Sequence, residues 1–182
     1  MTDEEWTKAR LLLLEEEKHL SKATAALAQK RAALPWRIVQ DYHLVGANGE
    51  STLSNLFGQE QDQLIVYHMM MGAGSTQGCS LCSFFLDQFM GGLPHLLPRS
   101  SFAVVAKTDY QNLATFAASK SGWDLSCFYS ASASSFNEDF QVSFTAEQLE
   151  KGETQYNYNR LWNFGTEAPG TFLTVVCVVA VD

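Results

Sequence analysis

Apolar residues recur every seven positions near the start of the chain. They are Trp6, Leu13, Leu20, Leu27 and Leu34. Charged residues fill the other faces of this segment, and Thr2 and Glu5 have the spacing of a capping box at a helix start. Because Pro35 cannot continue a helix, the pattern predicts one long helix over residues 2–34. The apolar stripe packs either on the body of its own protein or against a second copy.

Beyond Pro35 the hydrophobic pattern changes to short apolar runs separated by polar, glycine-containing segments. The predicted strands are residues 37–44, 63–69, 102–107, 125–129 and 171–181. The predicted helices are a short turn at residues 52–57 and longer helices at residues 81–90 and 110–120. Residues 47–49 have the composition of a turn, Gly91-Gly92 and Pro94 are expected to end the second helix, and residues 130–168 look irregular. Strands that alternate with helices predict an α/β domain with parallel strand pairs over residues 35–182, preceded by a helical extension at residues 1–34.

The composition of the chain excludes several classes of function. The chain has 182 residues, of which 46% are apolar, and it carries 12 basic against 20 acidic residues. No Lys or Arg lies between Arg37 and Arg99, so the sequence predicts neither a nucleic-acid partner nor an anionic membrane surface. No segment reaches the roughly 18–20 apolar residues of a membrane span, and the acidic N-terminus is unlike a signal peptide. The expected location is cytoplasmic, where structural disulfides are rare.

A C-x-x-C pair carries the most specific chemistry. Cys79 and Cys82 follow an apolar strand and a glycine-rich loop, at the point where a helix begins. Free backbone N–H groups and the helix dipole stabilise a thiolate there. We therefore expect Cys79 to attack a substrate disulfide and Cys82, one turn inside, to resolve the mixed disulfide. His68 is a candidate for assisting proton transfer, with a half-buried structural histidine as the alternative.

Other interpretations of the pair stay open. A zinc site needs further ligands, and Cys127 and Cys177 lie in apolar surroundings, so we expect no metal. Two buried thiols without a redox role are a second alternative. Thr76 and Cys79 also resemble part of the peroxiredoxin pattern, in which a threonine hydroxyl supports attack on peroxide, although Gly72 replaces the proline of that pattern. Asp87 on the same helix would oppose a thiolate if it came close.

Two clusters of aromatic and polar residues follow, at residues 136–140 and 156–159. They can line a pocket or form an ordered loop that caps the sheet. We favour the cap, because loop aromatics often pack as satellites of the core.

The chain resembles a thioredoxin-like family that is catalogued as a domain of unknown function (number 899) and described as predicted dithiol-disulfide oxidoreductases. The blocks that carry the resemblance, in order, are residues 34–36, 64–68, 78–84, 93–96, 122–123, 136–140, 142–144 and 156–158. The resemblance implies a thioredoxin-like central sheet flanked by helices and a long N-terminal helix. Thioredoxin-like folds place a cis-proline before a strand facing the C-x-x-C pair, and Pro169, preceded by Ala168, matches that position. Substrate would bind beside it, together with His68 and Thr76.

The resemblance also implies a further strand and a closing helix beyond Asp182, so the C-terminus is apparently shortened. We therefore expect the strand within residues 172–181 to leave a sheet edge that favours self-association or lowers stability, and a homodimer is one expected state. The alternative is that the N-terminal helix or residues 130–168 shield this edge. The predicted function is thiol-disulfide exchange without a cofactor, with a protein or a small-molecule thiol or disulfide as partner. The alternatives are a peroxidase that uses Cys79 and a non-catalytic thioredoxin-like binding module.

Overall fold

The computed structural model describes residues 1–35, 38–59, 61–151 and 173–176, and for the last four only the backbone. The chain divides into two compact units, Met1–Ile38 and Val39–Asp182. The boundary after residue 34 that the sequence predicts stays a prediction. No helix in the described ranges combines the length and apolar character that a membrane crossing requires.

The first unit is the predicted long helix. Helix α1 spans Asp3–Ala32, and its capping box is complete. Glu5 N–H donates to Thr2 Oγ1 at 3.2 Å, and Thr2 N–H donates to Glu5 Oε2 at 2.7 Å. These bonds satisfy backbone donors that the first helical turn leaves free. No residue of α1 is buried, so the partner of its apolar stripe stays a prediction.

The second unit contains a six-stranded sheet. Its strands are β1 (His43–Gly46), β2 (Gly49–Thr52), β3 (Leu64–His68), β4 (Ser101–Ala106), β5 (Phe128–Ser130) and β6 (Leu173–Val176), in the spatial order β2-β1-β5-β4-β3-β6. The described helices are α2 (Ser80–Leu96), α3 (Tyr110–Ala118), α4 (Phe136–Asp139) and α5 (Ala146–Glu150), with 3₁₀ turns at Ser54–Leu56 and Leu125–Cys127. Strand pairs β3–β4 and β4–β5 are parallel, whereas β1–β2, β1–β5 and β3–β6 are antiparallel. The predicted mixed α/β fold with parallel pairs is confirmed.

Alternate residues of β3 and β4 pack into two separate cores. Tyr67 and Val104 face one core, to which α2 and α3 contribute Leu86, Leu113 and Phe116. Val66 and Val105 face the other core, which contains Leu53 and Phe136. Both faces of these central strands are therefore covered, which explains why their sequences are almost continuously apolar.

Helix α2 is longer than its sequence predicts. It continues through Gly91-Gly92 and Pro94 to Leu96, whereas the glycine pair was expected to end it. Leu86 and Leu93 on either side of the pair are both buried in the first core. Burial of these side chains outweighs the cost of about 1 kcal/mol that each glycine imposes on a helix.

Three other expectations differ from the structure. Of the predicted strand at residues 37–44, residue 37 lies outside the described residues, residues 38–42 are not in a strand, and β1 begins at His43. The turn that follows pairs Gly46 with Gly49, whose φ of +93° only glycine adopts readily, and so fixes the β1–β2 hairpin. Residues 125–127 form a 3₁₀ turn, which Asp124 caps by accepting from Ser126 N–H at 2.9 Å. The region expected to be irregular contains α4 and α5. Of the final predicted strand, residues 173–176 pair with β3 and the others lie outside the described residues.

Two glycines test whether α2 is helical at residue 91. A Cβ added at Gly91, inside α2, or at Gly122, after α3, would meet no atom within 4 Å, but Gly122 has φ of +80°. We expect Gly91→Ala to raise the free energy of unfolding by about 0.5–1 kcal/mol, because alanine favours the helix and restricts the unfolded chain. Gly122→Ala should lower it by about 1 kcal/mol, because its backbone is left-handed. Urea denaturation measures both, and a loss in both variants would contradict a helix at Gly91.

Candidate functional site

Cys79 lies at the start of α2, as its sequence position predicts. Its backbone is extended, with φ −61° and ψ 132°, and it is the N-cap residue of the helix. Cys79 N–H donates to Met70 O at 3.0 Å, and Cys79 O accepts from Ser83 N–H at 3.0 Å and from Ser83 Oγ at 3.2 Å. These bonds fix the half-buried Cys79 at the positive end of the helix dipole.

The loop before Cys79 is fastened to the ends of two neighbouring strands. Thr108, which is fully buried, donates through Oγ1 to Ser75 O at 2.8 Å and through its backbone N–H to Met71 O at 3.0 Å. Ser130 Oγ in turn donates to Thr108 O at 2.6 Å. A Cβ at Gly78 would lie 2.8 Å from the Phe116 ring, so only glycine lets the loop approach α3 this closely. The position of Cys79 is therefore set by the sheet as well as by α2.

Cys82 is enclosed, whereas Cys79 is partly accessible, and both are free thiols. Cys82 is only 2% exposed, and its carbonyl accepts from the Tyr67 hydroxyl at 3.4 Å. Burial raises the pKa of the Cys82 thiol, and the neighbouring Cys79 raises it further, while hydrogen bonds from Tyr67 and from the backbone of Met70 act in the opposite direction. Cys79 is thus the thiol of the pair that an incoming molecule can reach.

Asp87 and Cys127 do not take part in this arrangement. Asp87 Oδ1 accepts from Trp123 Nε1 at 2.8 Å, about 12 Å along α2 from Cys79 by helical rise. Cys127 packs against the first core, as predicted, and its thiol donates to Asp124 O at 3.1 Å. Burial, and secondarily the charge of Asp124, raise the pKa of Cys127 to about 12. Cys177 lies outside the described residues.

A cavity of about 370 Å³ opens beside Cys79. His68 at the end of β3 and Lys107 directly after β4 line it, because the carboxyl ends of parallel strands meet at one edge of the sheet. Met69, Met70, Met71 and Val142 supply apolar surface. Lys107 Nζ donates to Ser134 O at 2.7 Å and pairs with Glu138 Oε1 at 2.8 Å, so its charge is already compensated.

His68 is buried on the cavity wall, with 3% of its surface exposed. Its ring stacks on Phe136 at a centroid distance of 5.4 Å and lies 5.8 Å from Phe140. Neither ring nitrogen has a hydrogen-bond partner among the described residues. Burial lowers the pKa of His68 to about 4, so the imidazole is neutral at pH 7. Because so low a pKa makes it a weak base, His68 supplies hydrogen-bonding groups more readily than it accepts a proton.

Asn137 in α4 is a cavity residue that the sequence analysis did not single out. It is 3% exposed, and its Oδ1 has no partner within the described ranges. Its backbone oxygen accepts from Val142 N–H at 2.9 Å and Ser143 N–H at 3.2 Å, which holds the segment in place. Phe136 and Phe140 pack with the second core, as expected for a cap, whereas Asn137 between them lines the cavity, as the alternative expected. Residues 156–159 of the same prediction lie outside the described residues. The signal available in the sequence was a polar residue between two nearby aromatic residues, Phe136 and Phe140.

The structure brings some of the predicted site residues together and not others. Cys79 and His68 line one cavity, and Cys82 is buried in the first turn of α2 after Cys79. Thr76 is exposed, is not part of the cavity wall, and makes no hydrogen bond to Cys79 in the described part of the chain. Ala168 and Pro169 lie outside the described residues. Across residues 1–35, 38–59, 61–151 and 173–176, no three His, Cys, Asp or Glu side chains form a group that could hold a metal ion.

Acid should destabilise the protein through His68. The unfolded histidine binds a proton near pH 6.5, whereas the folded one resists protonation down to about pH 4. Stability is therefore lost as the pH falls through this window, by on the order of 3 kcal/mol for this group. We expect His68→Phe, which preserves the ring stacking, to reduce the loss measured by urea denaturation between pH 7 and pH 4. The exposed His95, replaced in the same way, controls for the loss of a histidine, and equal pH dependence in wild type and His68→Phe would contradict the burial argument.

Limited alkylation should distinguish the cysteines. We expect iodoacetamide at neutral pH to label Cys79 before Cys82 and Cys127, as read by peptide mass mapping. Cys82 is enclosed, and a Cys127 pKa of about 12 instead of 9 leaves about a thousandfold less thiolate than an unperturbed thiol has. Equal labelling of Cys79 and Cys82, or preferential labelling of Cys127, would show that Cys79 is not the reactive thiol.

Comparison with known proteins identifies a family and no characterised relative. A search of curated proteins and a search of solved structures gave no match. The family model described as bacterial protein of unknown function (DUF899) matches residues 1–174, which include α1, the cysteine pair and every residue of the cavity wall. Because this match covers almost the whole chain, the protein belongs to the DUF899 family.

Proposed function

We propose that the protein is a thiol-disulfide oxidoreductase with a thioredoxin-like domain, in which Cys79 is the nucleophile and Cys82 the resolving thiol. The observation that carries the proposal is the unequal exposure of the two thiols. Cys79 caps α2 on the wall of a cavity, and Cys82 lies buried one turn inside the helix. A two-step exchange requires this arrangement. The substrate must reach the sulfur of Cys79, whereas the sulfur of Cys82 needs to reach only the mixed disulfide formed on Cys79.

The topology supports the thioredoxin-like part of the proposal. Strand β3, helix α2 and strand β4 form a parallel β-α-β unit with the C-x-x-C pair at the start of its helix. Strand β6 pairs antiparallel with β3 on the other side. A C-x-x-C pair in such a unit is a redox signal in proteins of reducing compartments.

The chemistry proceeds in two balanced steps. The Cys79 thiolate attacks one sulfur of a disulfide R–S–S–R, the S–S bond breaks, and the first R–S⁻ leaves and takes up a proton. Cys82 then loses its proton and attacks the sulfur of Cys79, which releases the second R–S⁻. One disulfide is reduced to two thiols while the protein dithiol becomes a Cys79–Cys82 disulfide, which an external dithiol reduces again.

The electrostatics of Cys82 fit this order of events. Burial dominates the rise of its pKa, and Cys79 adds to that rise. Once Cys79 is part of a mixed disulfide it no longer carries a charge, so its contribution disappears. Cys82 therefore stays a thiol while the substrate binds and becomes easier to deprotonate when it is needed.

The peroxidase alternative has less support. It requires the Thr76 hydroxyl to assist Cys79, but Thr76 is exposed and forms no hydrogen bond with Cys79 in the described residues. A non-catalytic binding module remains the outcome if neither a disulfide nor a peroxide reacts.

Single-turnover reaction with bis(2-hydroxyethyl) disulfide tests the proposal. We expect the reduced protein to consume one disulfide and end as the Cys79–Cys82 disulfide. Cys79→Ser should abolish the reaction, and Cys82→Ser should stop at a mixed disulfide on Cys79, detected by intact mass. Cys127→Ser is the matched control, because it removes a thiol without touching the pair. Reaction of Cys79→Ser at the wild-type rate, or consumption of hydrogen peroxide in place of the disulfide, would overturn the assignment.

A further inference from the structure

We propose that the cavity beside Cys79 is a binding site for a small, uncharged, amide-bearing molecule held by His68 and Asn137, and that the disulfide substrate belongs to this class. Binding by the cavity is independent of redox chemistry. Identification of the ligand as a disulfide rests on the proposed function.

Two buried side chains with unused hydrogen-bonding groups face one cavity. Both His68 and Asn137 are 97% buried, since each is 3% exposed. Both ring nitrogens of His68 and Oδ1 of Asn137 lack partners within the described residues. Buried polar groups in folded proteins nearly always have a partner, and leaving them without one costs free energy. Their position on a cavity wall indicates that a bound molecule supplies the missing partners.

The unused groups specify the chemistry of that molecule. A neutral imidazole offers one N–H donor and one acceptor nitrogen, and the side-chain oxygen of Asn137 accepts a hydrogen bond. An amide carries an N–H and a C=O in a fixed geometry, so it can donate to one of these side chains and accept from the other. A carboxamide such as Asn137 can also turn to present its nitrogen, and an amide ligand matches that orientation as well.

The charge of the cavity favours an uncharged ligand. Lys107 is the one charged residue among the described cavity-lining residues, and Glu138 compensates it at 2.8 Å. His68 is neutral at pH 7 because burial lowers its pKa to about 4. A charged ligand would be desolvated here without an opposite charge left to pair with it.

The size and apolar surface of the cavity agree with a small molecule. Its volume of about 370 Å³ lies in the range of small-ligand sites in proteins, roughly 300–1,000 Å³. Met69, Met70 and Met71 provide surface for the methylene groups on either side of a disulfide. Cys79 on the same wall then lies within reach of the sulfur atoms of the bound molecule.

Two neutral disulfides test the proposal on the full chain. The disulfide of N-acetylcysteine methylamide carries amides, whereas bis(2-hydroxyethyl) disulfide carries none. Binding of both to Cys79→Ser, measured by titration calorimetry, separates recognition from reaction. We expect the amide probe to bind at least about tenfold more tightly, which corresponds to one well-formed hydrogen bond.

Variants of the cavity residues test whether the preference for the amide probe arises in the cavity. In the wild-type background, the preference is measured as kcat/KM for the amide probe divided by kcat/KM for the hydroxyethyl probe. Asn137→Leu and His68→Phe should each lower this preference by about tenfold. Ser100→Ala is the matched control, because Ser100 Oγ is also buried without a partner in the described residues but lies outside the cavity wall. It should leave the ratio unchanged. If a variant fails to fold, the shift of the His68 ring-nitrogen resonances on adding the amide probe to Cys79→Ser provides the same test.

The outcomes separate this proposal from the proposed function. Tight amide binding to Cys79→Ser without reduction by the wild type supports the binding site and overturns the redox role. Reduction of both probes with equal kcat/KM and no effect of Asn137→Leu supports the redox role and overturns the amide site. Equal binding of the two probes to Cys79→Ser shows that the cavity has no preference for amides, and binding of neither probe shows that it takes no ligand of this class. Either result overturns the amide site.

Discussion

Burial of β3 and β4 on both faces is the constraint on which the rest of the structure depends. The two strands run parallel. Helices α2 and α3 cover one face, and Phe136 and its neighbours cover the other. The ends of these strands can therefore emerge only at the edges of the sheet. At the carboxyl edge, His68 ends β3 and Lys107 follows β4, and both line the cavity. The loop from β3 to α2 must pass over this edge, and Thr108 fastens it there. The location of Cys79 therefore follows from the packing of strands that carry no chemistry themselves.

The same packing makes neighbouring titratable groups behave differently. Cys79 and Cys82 are three residues apart, but one lies on a cavity wall and the other inside the core, where burial raises its pKa. His68 belongs to the same edge of the sheet, but two phenylalanine rings enclose it and burial lowers its pKa to about 4. Desolvation acts in opposite directions on the two groups because it always disfavours the charged form. On the described cavity wall, His68 is therefore neutral at pH 7 and Lys107 is paired with Glu138.

Membership of the DUF899 family assigns no function to this chain, so the proposed function is inferred from its own residues. The match covers α1 as well as the sheet, so the long helix belongs to the family's architecture and is not an addition to this chain. His68 and Asn137 carry buried polar atoms without a hydrogen-bond partner in the part of the chain that the structure describes, and such atoms generally cost free energy of folding. Proteins tolerate such groups where function requires them, and here they share one cavity wall with the most accessible cysteine of the C-x-x-C pair.

Local sequence determined α1, the central strands and the start of α2. The capping box and Pro35 set the limits of α1, the alternation of apolar runs and helices gave the α/β fold, and the spacing of Cys79 and Cys82 after a strand placed the pair at a helix start. These features depend on residues a few positions apart, so a pattern in the sequence contains them. Tertiary structure alone decided that α2 continues past Gly91, that His68 is neutral at pH 7, and that Asn137, from a distant part of the chain, reaches the same cavity as His68. Burial and missing hydrogen-bond partners are properties of contacts between distant segments, which no local pattern records.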